Sequence, residues 1–415
     1  MMMLLLAWKN VWRNKRRSLV IITATTIGLT AGLFYVGTIT AMYDAIIESA
    51  ISRELGDLKI RTDAYRKDQL VGQFLPAPDS IVSLLDSDRN VKSVAMHCLL
   101  EGMASSATVS SGVLIVAIDP GKETRVTGIS QSLKEGSYLD KSNTIVLGKK
   151  LADKLKLRLR SRIVLSFAGL DGNIVYAAFR ISGIFHTDGS IFDETTVFIR
   201  QDDLAPLLGT PRVPIHEILV RVNNPSILGQ TQAGLQKMMP AHTVVETWAD
   251  LAPELKLGAD SADLVNAVLL GIVLFALLFG LTNTLLMSVL DRTRDFGVLL
   301  AIGMYRRRMF SLIILESLLL SFTGCITGVV LGWILTQYFH AHGIDLSIFS
   351  AGLSEFGMPS VLYPFIRPRV YGMLALMMTI TSVSAALYPA IKAIRLRPPY
   401  STTARCCPAI AAVVE

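Results

Sequence analysis

Charge is scarce in this sequence. Only 18% of its 415 residues are charged, where a soluble chain carries about 25%. Together with 51% hydrophobic residues and a mean hydropathy of +0.48, the shortfall implies that part of the chain is dissolved in lipid. Cysteine is scarce as well. Cys98 is expected outside, Cys325 in a membrane helix, and Cys406 and Cys407 in a cytoplasmic tail. No metal spacing joins them and adjacent cysteines rarely bridge each other, so they read as free thiols. Recognisable catalytic signatures are missing too: there is no GxSxG, no HExxH and no GxxxxGK(S/T). Without a P-loop, any ATP chemistry must come from a partner. His97, His186, His216 and His242 are scattered without ligand spacing and read as ordinary surface or partly buried histidines. The net charge of +7 has no nucleic-acid-binding motif beside it, so nucleic acid is not expected as a partner. The cations gather instead beside apolar runs.

There are four such runs. Residues 18–43, 264–290, 309–339 and 370–391 lack charge, or nearly so, over the ~20 residues needed to cross a ~30 Å hydrocarbon core. Lys9, Arg13, Lys15, Arg16 and Arg17 precede the first run and resist translocation, which keeps the basic N-terminus, 1–17, in the cytoplasm. Four crossings return the tail, 392–415, to the same side. Arg292, Arg294, Arg306, Arg307 and Arg308 between runs two and three, and Lys392, Arg395 and Arg397 after run four, agree with this orientation. The outer loop 340–369 is poorer in cations, with Arg367 and Arg369 as the exceptions. The first run is too long for the apolar region of a cleaved signal peptide and reads as a retained anchor.

Small and polar residues inside the spans indicate how they pack. Gly28 and Gly32 form a GxxxG, and Gly324, Gly328 and Gly332 share one face of span three. Ordinary bundle packing and a helix that slides against its neighbour both fit that stripe. Asn266 and Asn283 are expected to hydrogen-bond to other helices, since an unsatisfied amide in lipid is costly. Glu316 is the only formally charged residue within a span, two helical turns beyond Arg308. It fits either an anchoring ion pair or a coupling role.

Residues 44–263 read as a soluble α+β sequence in two lobes, with no visible boundary between them. Runs 58–61, 113–118, 162–167 and 174–184 have strand character. Leu170-Asp171-Gly172-Asn173 is a hairpin signal between the last two. Helical patterns cover 149–157, 201–208 and 225–239, and those over 43–55 and 247–263 extend spans one and two outward as stalks. The expected fold is a membrane protein with four transmembrane α-helices and a large α+β extracytoplasmic domain inserted between helices 1 and 2.

Residues 291–308 separate spans two and three. They open with Asp291-Arg292-Thr293-Arg294-Asp295-Phe296-Gly297, run through Ala301-Ile302-Gly303-Met304, and close on Tyr305 and three arginines. Initial charge followed by an apolar stretch from Phe296 to Ile302 predicts a short amphipathic helix, ended by Gly303. Such a helix either lies on the lipid surface or inserts into a cytoplasmic ATPase. The stretch resembles the Arg-Thr-Arg-Glu-Phe-Gly…Ala-Ile-Gly signature of permeases in the MacB/FtsX-like superfamily, which includes the lipoprotein-releasing proteins LolC and LolE. Asp295 replaces the usual Glu. The resemblance continues in Leu315-Glu316-Ser317, in the N-terminal Ala7-Trp8-Lys9-Asn10…Arg13-Asn14-Lys15-Arg16-Arg17-Ser18, and in Tyr388-Pro389-Ala390-Ile391-Lys392-Ala393. Leu55-Gly56-Asp57-Leu58-Lys59-Ile60 also resembles the family, with Asp57 where His is common. Two stretches depart from the pattern. Arg160-Ser161 stand where Gly-Asp is usual, and Pro399-Tyr400-Ser401 lead into an Ala-rich tail.

The resemblance implies an ABC transporter permease, multi-pass in the bacterial inner membrane, with both termini cytoplasmic. It implies no enzyme activity and no bound cofactor in this chain, with ATP and Mg held by a separate cytoplasmic ABC ATPase. A second permease copy or paralogue would complete the complex. Arg292, Arg294, Asp295, Phe296, Gly297, Ala301 and Gly303 would couple it to the ATPase, and the stalks would transmit motion to outer domains that displace a lipoprotein or other periplasmic client. A MacB-type exporter and an FtsX-like regulator of a cell-wall hydrolase share this architecture. An intramembrane protease needs a second group at the depth of Glu316, and a passive adhesion anchor needs no coupling segment.

Overall fold

The computed structural model describes residues 2–13, 15–355 and 357–395. Cys406, Cys407 and the rest of the expected tail beyond 395 lie outside the described residues, as do Asn14 and the side chains of Arg17, Asp295 and Arg395. The chain forms two compact units, one drawn from Met1–Thr40, Ala262–Gly343 and Tyr363–Glu415, the other from Ala41–Ser261 and Ile344–Leu362.

The first unit is helical. Its elements are α1 (Met2–Arg13), α2 (Lys15–Ala50) as far as Thr40, α3 (Pro253–Asp291) from Ala262 onward, α4 (Thr293–Ala301), α5 (Arg306–His342) and α6 (Pro368–Arg395). All but α1 and α4 are long and apolar enough to cross a membrane. At 1.5 Å per residue α5 measures about 55 Å, well beyond a ~30 Å hydrocarbon core. The helices therefore outrun the apolar windows from which they were read. Proline at the first position of α3 and α6 costs nothing there, because that amide has no partner within the helix.

Leu29, Leu33, Leu270, Leu281, Leu320 and Met378 belong to the buried core of this unit. A Cβ on Gly324, Gly328 or Gly332 would come within 2.8, 2.9 and 2.8 Å of Thr25, Leu29 and Leu33 respectively. Both series advance by four residues, so α2 and α5 run parallel, with a ridge of one in the glycine groove of the other. The Thr26 and Thr30 hydroxyls donate to the carbonyls of Gly324 and Gly328 at 3.4 and 3.2 Å. The two asparagines of α3 do not follow expectation. Asn266 is buried, but its Oδ1 has no hydrogen-bond partner among the described residues, and Asn283 is exposed. A helix that is apolar all round does not declare which face meets its neighbours.

The second unit is α+β. Its strands are β1 (Leu58–Thr62), β2 (Val91–Ser105), β3 (Ser110–Ile118), β4 (Leu133–Gly136), β5 (Thr144–Gly148), β6 (Arg162–Ala168), β7 (Ile174–Phe185), β8 (Thr196–Arg200), β9 (Glu217–Val222) and β10 (Thr243–Thr247). Six of them close a circuit, β2–β3–β8–β5–β7–β6 and back to β2. Closure leaves no free edges around the ring and fills the interior with side chains. Leu100, Ile115, Leu147, Leu165, Phe179 and Ile199 lie in that core. A second core, with Leu58, Ile60, Ile81, Leu85, Ile218 and Val245, forms on β10–β1–β9–β2. The long strand β2 belongs to both lobes. Its first half pairs with β9 and its second half with β3 and β6.

The strand readings at 58–61, 113–118, 162–167 and 174–184 fall within observed strands. The sequence reading missed β2, β4, β5, β8, β9 and β10. β5 is buried at every position, so it lacks the alternation that marks a half-exposed strand. The helices are shorter than predicted, at Lys149–Lys154, Gln201–Leu204 and Leu228–Met238.

Candidate coupling site

The site grows out of the break between α3 and α4. Arg292 leaves helical geometry at φ −105°, ψ 16°, and its carbonyl accepts from Phe296 N at 3.0 Å as α4 begins. The far end closes by the Ile302 and Gly303 amides, which donate back to Val298 and Leu300 at 3.0 and 3.1 Å. Gly303 adopts φ +98°, a conformation cheap only for glycine. The predicted amphipathic helix is thus Thr293–Ala301, starting three residues before the apolar stretch.

α4 has two apolar sides. Phe296 turns inward and is buried with Val289, Met309, Ile313, Ala390 and Ala393. Val298, Ile302 and Tyr305 are exposed, Ile302 at 80%. Arg294, Ala301 and Gly303 are also exposed, while Gly297 is half-buried. Arg292 departs from the reading that placed it on the basic flank. It is only 6% exposed, and its Nη1 donates to Glu316 Oε1 and Oε2 on α5 at 3.1 and 3.3 Å. A carboxylate buried among apolar helices is costly unless paired, and Arg292 supplies the pair. Arg308, nearer in sequence, lies instead over the Tyr305 ring at 5.6 Å. Sequence reasoning missed the outward residues Val298, Ile302 and Tyr305. Their signal was an apolar i, i+4 pair, 298 and 302, offset from the inward pair 296 and 300.

In the second unit the scattered histidines need correction. His97 and His216 are buried, brought together by strand register. His97 lies opposite Glu217 across β2 and β9. Its Nε2 is 2.7 Å from Glu123 Oε2 and its Nδ1 is 3.4 Å from Glu217 Oε1. Lys59 reaches the other Glu217 oxygen at 3.0 Å, and Thr127 donates to Glu123 at 2.8 Å. Burial alone would push His97 down, but Glu123 and Glu217 outweigh it and raise its pKa to about 9. Burial would raise Glu217, yet Lys59 and His97 hold it at about 2. Two cations thus neutralise two anions, a satisfied buried network. Among the described residues, no group of three or more His, Cys, Asp or Glu is placed to hold a metal ion.

Four helices able to cross a membrane, an α+β domain between the first and second, and a short half-exposed helix between the second and third define a membrane permease architecture. Residues 18–238 match the family described as MacB-like periplasmic core domain, and residues 267–398 match FtsX-like permease C-terminal. The chain belongs to the MacB/FtsX-like ABC transporter permease superfamily, whose context is the bacterial inner membrane and whose partner is an ATPase. It is similar to the lipoprotein-releasing system transmembrane protein LolC of Xylella fastidiosa, 22% identical over 395 residues, covering 90% of this chain and 92% of that one. It is also similar to the macrolide export ATP-binding/permease protein MacB of Agrobacterium fabrum, 25% identical over 379 residues, covering 82% of this chain and 54% of the relative. Among solved structures, the periplasmic region of MacB from Actinobacillus actinomycetemcomitans aligns with 51% of this chain and 97% of that one, at 12% identity and a TM-score of 0.37.

Proposed function

We propose that this chain is the permease subunit of an ATP-driven complex that extracts lipoproteins from the inner membrane. The observation that carries the reading is the end-to-end likeness to a lipoprotein-releasing transmembrane protein, 92% of whose length is covered. MacB, by name, joins an ATP-binding part to its permease, and the alignment covers only 54% of it. This sequence has no P-loop.

In this reading both termini face the cytoplasm, and α4 presents Val298, Ile302 and Tyr305 to a separate ATPase that holds ATP and Mg. A second copy or paralogue completes the permease pair. Phe296 and the Arg292–Glu316 pair tie α4 to the ends of α3, α5 and α6, so a push on α4 is passed to the spans rather than absorbed locally. α2 and α3 continue past the membrane into the stalks of the periplasmic domain, which displaces the client. The chain performs no chemistry of its own.

Depletion in the native host tests the client, and copurification tests the machine. Retention of lipoproteins in the inner membrane, with a P-loop ATPase recovered beside the tagged chain, is the expected result. Normal lipoprotein sorting with new sensitivity to drugs or toxins would replace this reading with a MacB-type exporter. Chained cells would indicate a regulator of a cell-wall hydrolase.

A further inference from the structure

We propose that the outer end of α2 is clamped to the periplasmic domain by a π-helical turn, with Arg53 and Gly189 as the positioning residues, so that stalk and domain move as one body. The purpose of the clamp rests on the permease reading above; its rigidity does not.

Beyond Ala50 the α-helical ladder gives way to a π turn, Ile51–Leu55, closed by Gly56 N donating to Ile51 O at 3.0 Å. Turns of this kind leave a carbonyl free of the regular ladder and recur at functional positions. Here the carbonyl of Ser52 accepts from Gly128 N at 2.8 Å, tying helix to domain. Arg53 is the second tie. Its guanidinium fills the space left by the missing side chain of Gly189, where a Cβ would come within 2.5 Å of Nη1 and 2.6 Å of Cζ. The same group stacks over Phe192 at 5.5 Å and approaches the outer loop, 3.7 Å from where a Cβ on Gly357 would lie. On either side, Glu48 receives Arg221 at 2.7 Å and buried Asp57 accepts from Val222 N at 2.8 Å. The carbonyl of Asp57 also accepts from Trp248 N at 3.2 Å, at the start of the second stalk. Ties so closely spaced leave no free joint between residues 48 and 57.

A cross-link distinguishes a clamp from a hinge. Ser52 Cβ lies 4.0 Å from the Cβ position of Gly128, within the ~3.5–4.5 Å that a disulfide spans. In the full complex in membranes, the Ser52→Cys/Gly128→Cys pair should cross-link at the same rate without nucleotide, with ATP, and trapped with vanadate. The oxidised complex should release client within about twofold of wild type. Loss of release on oxidation, restored by dithiothreitol, would show a working hinge and overturn the proposal. Gly189→Ala evicts the guanidinium without touching the ATPase face. It should lower client released per ATP about tenfold while ATP turnover stays unchanged. Arg53→Ala should match it, Arg53→Lys should not rescue, and the double variant should be no worse than Arg53→Ala alone. Wild-type release per ATP by Arg53→Ala would equally overturn the clamp. Equal cross-linking in every nucleotide state, with no lipoprotein released even by wild type, would support the clamp and reject the lipoprotein reading.

Discussion

At Arg160 the backbone sits at φ +68°, a left-handed conformation that costs a residue with a side chain about 1–2 kcal/mol. Arg160 N donates to Ile181 O at 2.9 Å and Ile181 N to Ser161 O at 3.0 Å, so strand β7 holds it there. This is the position where the family resemblance expects glycine. Arg160→Gly should stabilise the chain by about 0.5–1 kcal/mol after the larger unfolded-state entropy of glycine is deducted. The thermal midpoint of the detergent-purified protein should rise by about 2 °C; a lower midpoint would show that the Arg160 side chain contributes more than its strain. His97 makes the opposite point, because its partners stabilise its charge. Its folded pKa, about 9, lies above the unfolded value of ~6.5. The contribution is therefore complete below pH ~6.5 and disappears as pH rises through 9, a change on the order of 3 kcal/mol. Unfolding midpoints between pH 6.5 and 9 should decline in wild type and flatten in His97→Gln. An equal decline in the variant would assign the effect to other groups.

At the scale of elements, the contact of α2 with α5 is set by what glycine lacks. A side chain at Gly328 would meet Leu29 Cβ at 2.9 Å and the Thr26 carbonyl at 3.2 Å, and a backbone cannot move aside as a side-chain tip can. Gly328→Leu should cost about 1–3 kcal/mol by overpacking, read as a lower thermal midpoint. Gly271 on α3 has open space at its Cβ position, so Gly271→Leu is the matched control and should not lower the midpoint. Destabilisation of both alike would show that the loss does not come from the contact with α2, since removing a helical glycine by itself favours the fold. A sheet edge is managed by equally local means. Gln236 takes the Val245 amide and donates to the Thr243 carbonyl, and Gln232 donates to the Val245 carbonyl. These two side chains cover outer β10, which would otherwise invite strand pairing.

For the whole molecule, the proposed docking of an ATPase on α4 depends on which side of that helix faces out. Ile302→Asp changes an exposed residue, so the chain should accumulate and fold normally while recovery of the partner ATPase falls about tenfold. Phe296→Ala removes a buried ring and should destabilise the chain itself by about 3 kcal/mol. Undiminished ATPase recovery with Ile302→Asp, measured at equal permease, would move the docking surface elsewhere.

Four spans, the inserted α+β domain and the helix near 293–301 were legible because each follows from local composition. Twenty apolar residues cannot stay in water, and glycine after an amphipathic stretch ends a helix. The stripe at Gly324, Gly328 and Gly332 was legible as a small-residue face, but not its occupant, Thr25, Leu29 and Leu33. Arg292 looked like one more flanking cation. Its burial against Glu316 depends on α3 and α5 meeting, which no local pattern encodes. The same holds for His97, Glu217 and Lys59, which strand register gathers, and for Glu123, which the helical turn at Pro120–Glu123 brings to them. The closed strand circuit was hidden because its fully buried strands lose the alternation by which a strand is recognised. Local chemistry settled which segments enter lipid, because transfer from water acts residue by residue. Long-range pairing settled which charges meet and which glycine receives which ridge, because those energies exist only once distant segments are in contact.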